Sequence, residues 1–162
     1  MMHCNINLVD SDVDLSRMAR ISLQKLEMKF GKLKYNSIAH KDFNGAAVVF
    51  TCASSSCIGV DVEFIVEKER AVLDLFKEHE YAVLGDKNWR NFYILWTAKE
   101  ALIKVVQASV DIRQEIKILT VKSQNREFIE ILAQYRNQIF CVRTKFDGNL
   151  VFSIAHISSR DS

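Results

Sequence analysis

A chain of 162 residues is long enough for one real core and too short for two independent domains of ordinary size. Its hydrophobic share of 49% and charged share of 26% are ordinary for a globular protein, and no apolar run approaches the roughly 18 to 20 residues that span a bilayer. A formal net charge of +2 is too small to argue for nucleic acid and by itself says little about partners; no nucleic acid partner is expected, and the lack of a spanning run leads to the expectation of no membrane.

The start, Met1-Met2-His3-Cys4-Asn5, has no basic leader with an apolar run and no small-residue cleavage site, which leads to the expectation of a cytoplasmic protein. Cys4, Cys52, Cys57 and Cys141 fall at no zinc spacing and are expected to be reduced, buried thiols. With no proline in the chain, turns fall to Gly, Asn, Asp and Ser.

Residues 3 to 9 alternate polar and apolar and predict a strand. Asp10, Ser11 and Asp14 offer N-caps for an amphipathic helix from Leu15 to about Phe30, closed by Gly31. Tyr35 to His40 predicts an extended segment, Asp42-Phe43-Asn44-Gly45 a tight turn, and Ala46 to Cys52 a buried strand. Cys57 to Phe64 predicts the next strand, and a meander would bring His40 close to its Asp61 and Glu63. Glu67 to Leu84 predicts one helix, stopped by Gly85-Asp86. Asn88 caps a second helix to about Gln107, apolar over more than half its circumference and therefore central. Three or four strands follow: Gln114 to Val121, Glu127 to Leu132, Gln138 to Lys145 and Asn149 to Ile157, the last pair joined at Asp147-Gly148, with a frayed end at Arg160-Asp161-Ser162. Ser37-Ile38-Ala39-His40 recurs as Ser153-Ile154-Ala155-His156, a short match compatible with two related halves and with chance.

Side chains two apart on a strand share a face, so Asp61 and Glu63 sit side by side. On the long helix Trp96, Glu100 and Lys104 share a face, with Lys99 about 100° round from Glu100. If that face meets the strand, Asp61, Glu63 and Glu100 form an all-oxygen site that suits Mg²⁺ bridging substrate phosphates, with Lys104 beside it. Taken singly, each feature has a plainer reading: a solvated strand rim, or common helix ion pairs worth tenths of a kcal/mol. The aromatics Trp89, Phe92, Tyr93 and Trp96 are expected in the core, and His156 as structural.

Ile58-Gly59-Val60-Asp61-Val62-Glu63 followed by Phe92-Tyr93-Ile94-Leu95-Trp96-Thr97-Ala98-Lys99-Glu100-Ala101-Leu102-Ile103-Lys104 resembles the paired signature of 4'-phosphopantetheinyl transferases, in particular the surfactin-synthetase-activating type. Leu75 to Tyr81 resembles the family's aromatic-to-acid helix, Asn36 to His40 the segment that meets coenzyme A, and Val151 to His156 a closing strand. The resemblance implies an α+β fold of mostly antiparallel strands on long helices, compatible with two pseudo-symmetric halves. The chain would be a single domain, 1–162, with a shortened first half over 1–56 and a second half over 57–162.

The implied activity is Mg²⁺-dependent transfer of 4'-phosphopantetheine from coenzyme A to a serine of an apo acyl or peptidyl carrier protein, releasing adenosine 3',5'-bisphosphate. By position, Asp61, Glu63 and Glu100 would hold the metal, and His40 would touch the 3'-phosphate. Lys104 would lie by the pyrophosphate, with Lys99 close, and the serine proton would leave to Glu100 or to a water on the metal. Family members of this type carry a longer first half with basic residues for the nucleotide. Here Arg20 and Lys32 are the candidate replacements, Phe30-Gly31-Lys32 resembling a family Tyr-Gly-Lys, while Ala39 stands where a serine is usual. A non-catalytic module that binds coenzyme A or a carrier protein, and a Mg²⁺-dependent nuclease or phosphohydrolase, are the competing readings.

Overall fold

The computed structural model describes residues 1–10 and 13–158, so the expectations for Ser11 and for the frayed end at 160–162 lie outside the described residues. It is an α+β structure, as expected, built on two antiparallel sheets. The first sheet holds β1 (Met2–Asp10), β2 (Tyr35–Phe43) and β3 (Ala46–Ser54) in the order β1-β3-β2. The second holds β4 (Ile58–Phe64), β5 (Ile116–Gln124), β6 (Phe128–Tyr135), β7 (Gln138–Asp147) and β8 (Leu150–Ile157) in the order β4-β8-β7-β6-β5.

Helix α1 (Leu15–Phe30) forms where the sequence places it. The Asp14 side chain accepts from the Arg17 N–H, and Gly31, at φ 81°, closes the other end by donating to Glu27. Helix α3 (Trp89–Val106) is capped by Asn88, whose side chain accepts from the Asn91 N–H. Its apolar circumference is buried as expected: Phe92, Tyr93, Ile94, Leu95, Ala98, Ala101 and Leu102 pack on the inner face of the second sheet. No helix of the described residues is long and apolar enough to cross a membrane.

Two expectations are corrected. Residues 67–84 are not one helix: a 3₁₀ turn over Arg70–Leu75 gives way at Phe76 (φ −111°, ψ 154°) to a separate α2 (Glu78–Leu84). The break turns the Phe76 ring into the core against Phe92 and Trp96, where it is 2% exposed, while the 3₁₀ turn before it buries none of its residues. Nor are the four cysteines all free. Cys4 and Cys52 face each other across β1 and β3, with Cα atoms 4.1 Å apart, and are joined as a disulfide; Cys57 and Cys141 are free.

The Ser-Ile-Ala-His recurrence does not mark related halves, because it falls on β2, an edge of its sheet, and on β8, held between β4 and β7. Topology marks them instead. Strand, helix and hairpin give β1-α1-β2-β3 with order β1-β3-β2, and the second half repeats this as β4-α3-β7-β8 with order β4-β8-β7. Between the sheets lies a second apolar cluster in which Ala39, Val48, Phe50 and Cys52 meet Ile58, Val60, Val62 and Phe64.

Candidate active site

Strand β4 has two working faces. Ile58, Val60, Val62 and Phe64 pack toward the first sheet, so by alternation Gly59, Asp61 and Glu63 face α3. Gly59 is what lets the helix come so near. A Cβ there would stand 2.0 Å from the Ala101 carbonyl oxygen and 2.9 Å from the Val105 nitrogen, which are backbone atoms with no rotamer to give. The approach brings Lys104, in the last turn of α3, onto β4: its ammonium donates to the Val60 carbonyl at 2.7 Å and to Asp61 Oδ1 at 3.1 Å.

Asp61 is 9% exposed, and its second oxygen, Oδ2, is buried with no hydrogen-bond partner. Burial raises its carboxyl to about 6; Lys104 pulls it down, while the charges of Glu63 and Glu100 push it further up. Glu100, one helical turn before Lys104, is likewise raised by burial, against Lys104 and with Glu63. The three carboxylates therefore feel one another, as the sequence leads one to expect.

Glu63 has a partner that the sequence reading does not include. Lys41 reaches from β2 and places its ammonium 3.1 Å from Oε1 and 2.9 Å from Oε2. The signal was strand alternation: Ser37 and Ala39 point inward, so Lys41 does too, while His40 points to the opposite face and is exposed. Meander proximity thus brings Lys41, not His40, to the acids. Ser37 fixes the register of β2 against β4 by accepting from the Val60 N–H at 3.0 Å.

Lys99 is placed away from Glu100. It is fully buried, 2.7 Å from Glu80 Oε1 and 2.9 Å from the Ile112 carbonyl, with its ammonium 4.8 Å from the centre of the Phe76 ring. Burial pushes its ammonium below the ordinary value, against the pull of Glu80. A step of about 100° on the helix separates a residue at the acids from one that ties α2 to α3. Arg20 and Lys32 are both exposed, Arg20 on α1 and Lys32 just beyond it, and neither joins an ion pair among the described residues.

Whether these residues suit a divalent cation can be asked of their donor atoms. Among the described residues no three His, Cys, Asp or Glu side chains stand gathered so that together they could hold a metal ion. The donors present are hard carboxylate oxygens, and the buried, unpartnered Asp61 Oδ2 is a costly atom to leave without a cation or donor. Mg²⁺ usually takes one or two carboxylates and completes its shell with water and substrate phosphate, so an open set of this kind fits it.

No curated protein matches the sequence significantly. A family model described as the 4'-phosphopantetheinyl transferase superfamily matches residues 57–155, which run from just before β4 into β8 and include Asp61, Glu63, Glu80, Glu100 and Lys104. The chain belongs to the 4'-phosphopantetheinyl transferase superfamily.

Proposed function

We propose that this chain transfers the 4'-phosphopantetheine arm of coenzyme A to a serine hydroxyl of an apo acyl or peptidyl carrier protein, with Mg²⁺, as a holo-carrier-protein synthase working in the cytoplasm. The observation that supports this most is the contact of Lys104 with Asp61 where α3 meets β4, with Glu63 and Glu100 near enough to act on the Asp61 charge and one Asp61 oxygen buried and unpartnered.

Asp61, Glu63 and Glu100 would hold the metal, which when bound would neutralise charge on the coenzyme's pyrophosphate. Lys104, fixed by the Val60 carbonyl, presents a second positive charge to the same phosphates without needing to reorganise. The serine oxygen bonds to the phosphorus that carries pantetheine. The bond from that phosphorus to the bridging oxygen breaks, and adenosine 3',5'-bisphosphate leaves with the electron pair. Glu100, half-buried on the same helix face as Lys104, is placed to take the serine proton. Lys99 serves the reaction from behind, by tying α2 to the helix that carries Glu100 and Lys104. His40, Lys32 and Arg20 are the candidates for the nucleotide end, with His40 at the 3'-phosphate.

The test is to incubate the protein with coenzyme A, Mg²⁺ and a panel of apo carrier proteins and weigh the carriers. A mass gain of one phosphopantetheine on the carrier serine, lost in Glu100→Gln, is the expected result. No gain on any carrier would overturn the reading.

A further inference from the structure

The two lysines at the acids are held differently. Lys104 has a carbonyl as well as a carboxylate, so it stays in place if Asp61 is neutralised by something else. Lys41 has Glu63 alone among the described residues, and its four-carbon stem springs from a different sheet. Its side chain is 44% exposed, with room to move, whereas that of Glu63 is 14% exposed. Both Glu63 oxygens are engaged by the one ammonium. A divalent cation on those oxygens would face it at contact distance, and two cations so close repel.

We propose that Lys41 is a displaceable counter-ion of Glu63: it holds the carboxylate while no divalent cation is present, and on metal binding it swings to a phosphate of coenzyme A. The second half of this statement rests on the transferase reading; the first does not. In this picture the first sheet contributes to the site through Lys41. Ser37, four residues back on the same strand face, sets the reach of that lysine by locking β2 onto the Val60 N–H.

The experiment measures Mn²⁺ binding to the full chain by electron paramagnetic resonance, and coenzyme A binding at fixed Mg²⁺ by calorimetry. The proteins are wild type, Lys41→Met, which keeps the stem and removes the charge, and Lys41→Arg. Lys41→Met is expected to bind Mn²⁺ about 3- to 10-fold more tightly and coenzyme A about 10-fold more weakly, and Lys41→Arg to restore coenzyme binding. Mn²⁺ affinity that is unchanged or lower in Lys41→Met, or no Mn²⁺ binding by wild type, overturns the counter-ion. Coenzyme affinity untouched by Lys41→Met overturns the hand-over. Dephospho-coenzyme A locates it: an equal loss points to the pyrophosphate, and a loss confined to coenzyme A points to the 3'-phosphate. If wild type binds Mn²⁺ but no coenzyme A, the transferase reading fails while the counter-ion is still decided by the Mn²⁺ arm. Should Lys41→Met not fold, the ζ-¹⁵N signal of the Lys41 ammonium in wild type serves, sharp without metal and exchange-broadened with Mg²⁺; no change on adding Mg²⁺ overturns the proposal.

Discussion

The two halves share one scaffold and use its side chains in opposite ways. In the first, Asn5 of β1 pairs with Thr51 of β3, and the Thr51 hydroxyl meets Ser22 of α1 at 2.8 Å. In the second, Asp61 of β4 pairs with Ser153 of β8, and the Ser153 hydroxyl meets Thr97 of α3 at 2.8 Å. Aligned on these hydroxyls, Asn5 and Asn7 stand where Asp61 and Glu63 stand, while Lys25 and Lys29 stand where Glu100 and Lys104 stand. Asn5 and Asn7 turn their amides onto Ser22, at 3.1 and 3.0 Å, and are consumed in holding α1 down. Asp61 and Glu63 make no bond to Thr97, which donates instead to the Tyr93 carbonyl, so their carboxylates remain available to cations. A site arises where the polar strand residues are not needed to attach the helix.

The sharpest way to break this contrast is to give the second half the first half's chemistry. Asp61→Asn keeps the shape and removes the charge. Loss of an outer partner of a metal ligand commonly costs 10- to 100-fold, so with Asp61 in the proposed metal-holding role its loss should lower carrier modification by about 100-fold or more. Asn5→Asp, its mirror image, should leave the rate near wild type. Equal effects of the two in a mass-spectrometric transfer assay would show that the halves are not divided as described.

Next in size is the contact that brings α3 onto β4. At the matching place of β1 the chain carries not glycine but His3, a whole imidazole stacked on Phe30 with centroids 3.6 Å apart. Gly59→Ala forces a methyl against the Ala101 and Val105 backbone. Overpacking of this kind costs about 3 kcal/mol, a fall in Tm of roughly 6–12 °C for a chain of this size, and it should depress activity further by moving Glu100 and Lys104. His3→Ala, by comparison, should shift Tm only slightly. A Gly59→Ala protein with unchanged melting would refute the tight approach.

Acidity separates the halves as well. Asp61 titrates at about 6 when folded against an ordinary 3.8, with burial the chief cause, whereas Asn5 does not titrate. Between those values the folded protein keeps a proton that the unfolded chain has lost. Metal-free stability should therefore fall as pH rises from about 4 to about 6 and level off above, by at most about 3 kcal/mol. In Asp61→Asn that decline should shrink to the part due to Glu100, which burial also raises, leaving a variant more stable than wild type at pH 7 and inactive. Mg²⁺ should raise Tm above pH 6 and do little below pH 4. Urea melts across this range, with and without Mg²⁺, check the sign.

What the sequence shows of this arrangement depends on how local each feature is. Asp61 and Glu63 on one strand face, and Glu100 and Lys104 on one helix face, follow from backbone periods of 2 and 3.6, and the bounds of α1 follow from Asp14 and Gly31. Lys41 on Glu63 depends on how two sheets face each other, and the Cys4–Cys52 pair on a strand pairing across a separation of 48 residues; no local pattern carries either. Lys99 was legible as a neighbour of Glu100 but not as a buried partner of Glu80, because the break at Phe76 that brings Glu80 inward is a tertiary choice. The same break splits the helix expected over 67–84, whose local propensity is outweighed by burying one aromatic ring.

The smallest effects test the scaffold on which the comparison rests. In the second half a single polarity satisfies every hydroxyl: Thr144 donates to Ser153, Ser153 to Thr97, and Thr97 to the Tyr93 carbonyl, over 2.7, 2.8 and 2.8 Å. In the first half Ser22 accepts from both asparagines and donates to Thr51. Removing one hydroxyl, as in Thr97→Val or Ser22→Ala, leaves buried partners short of a bond and should cost about 1–3 kcal/mol in either half. The catalytic consequences should differ. Thr97→Val loosens the helix that bears Glu100 and Lys104, so kcat should fall several-fold with little change in KM for the carrier protein. Ser22→Ala loosens a helix that bears none of the acids, and kcat should hold. If both substitutions destabilise alike and both lower kcat alike, α1 is as much a part of the catalytic frame as α3, and the division of labour between the two halves is wrong.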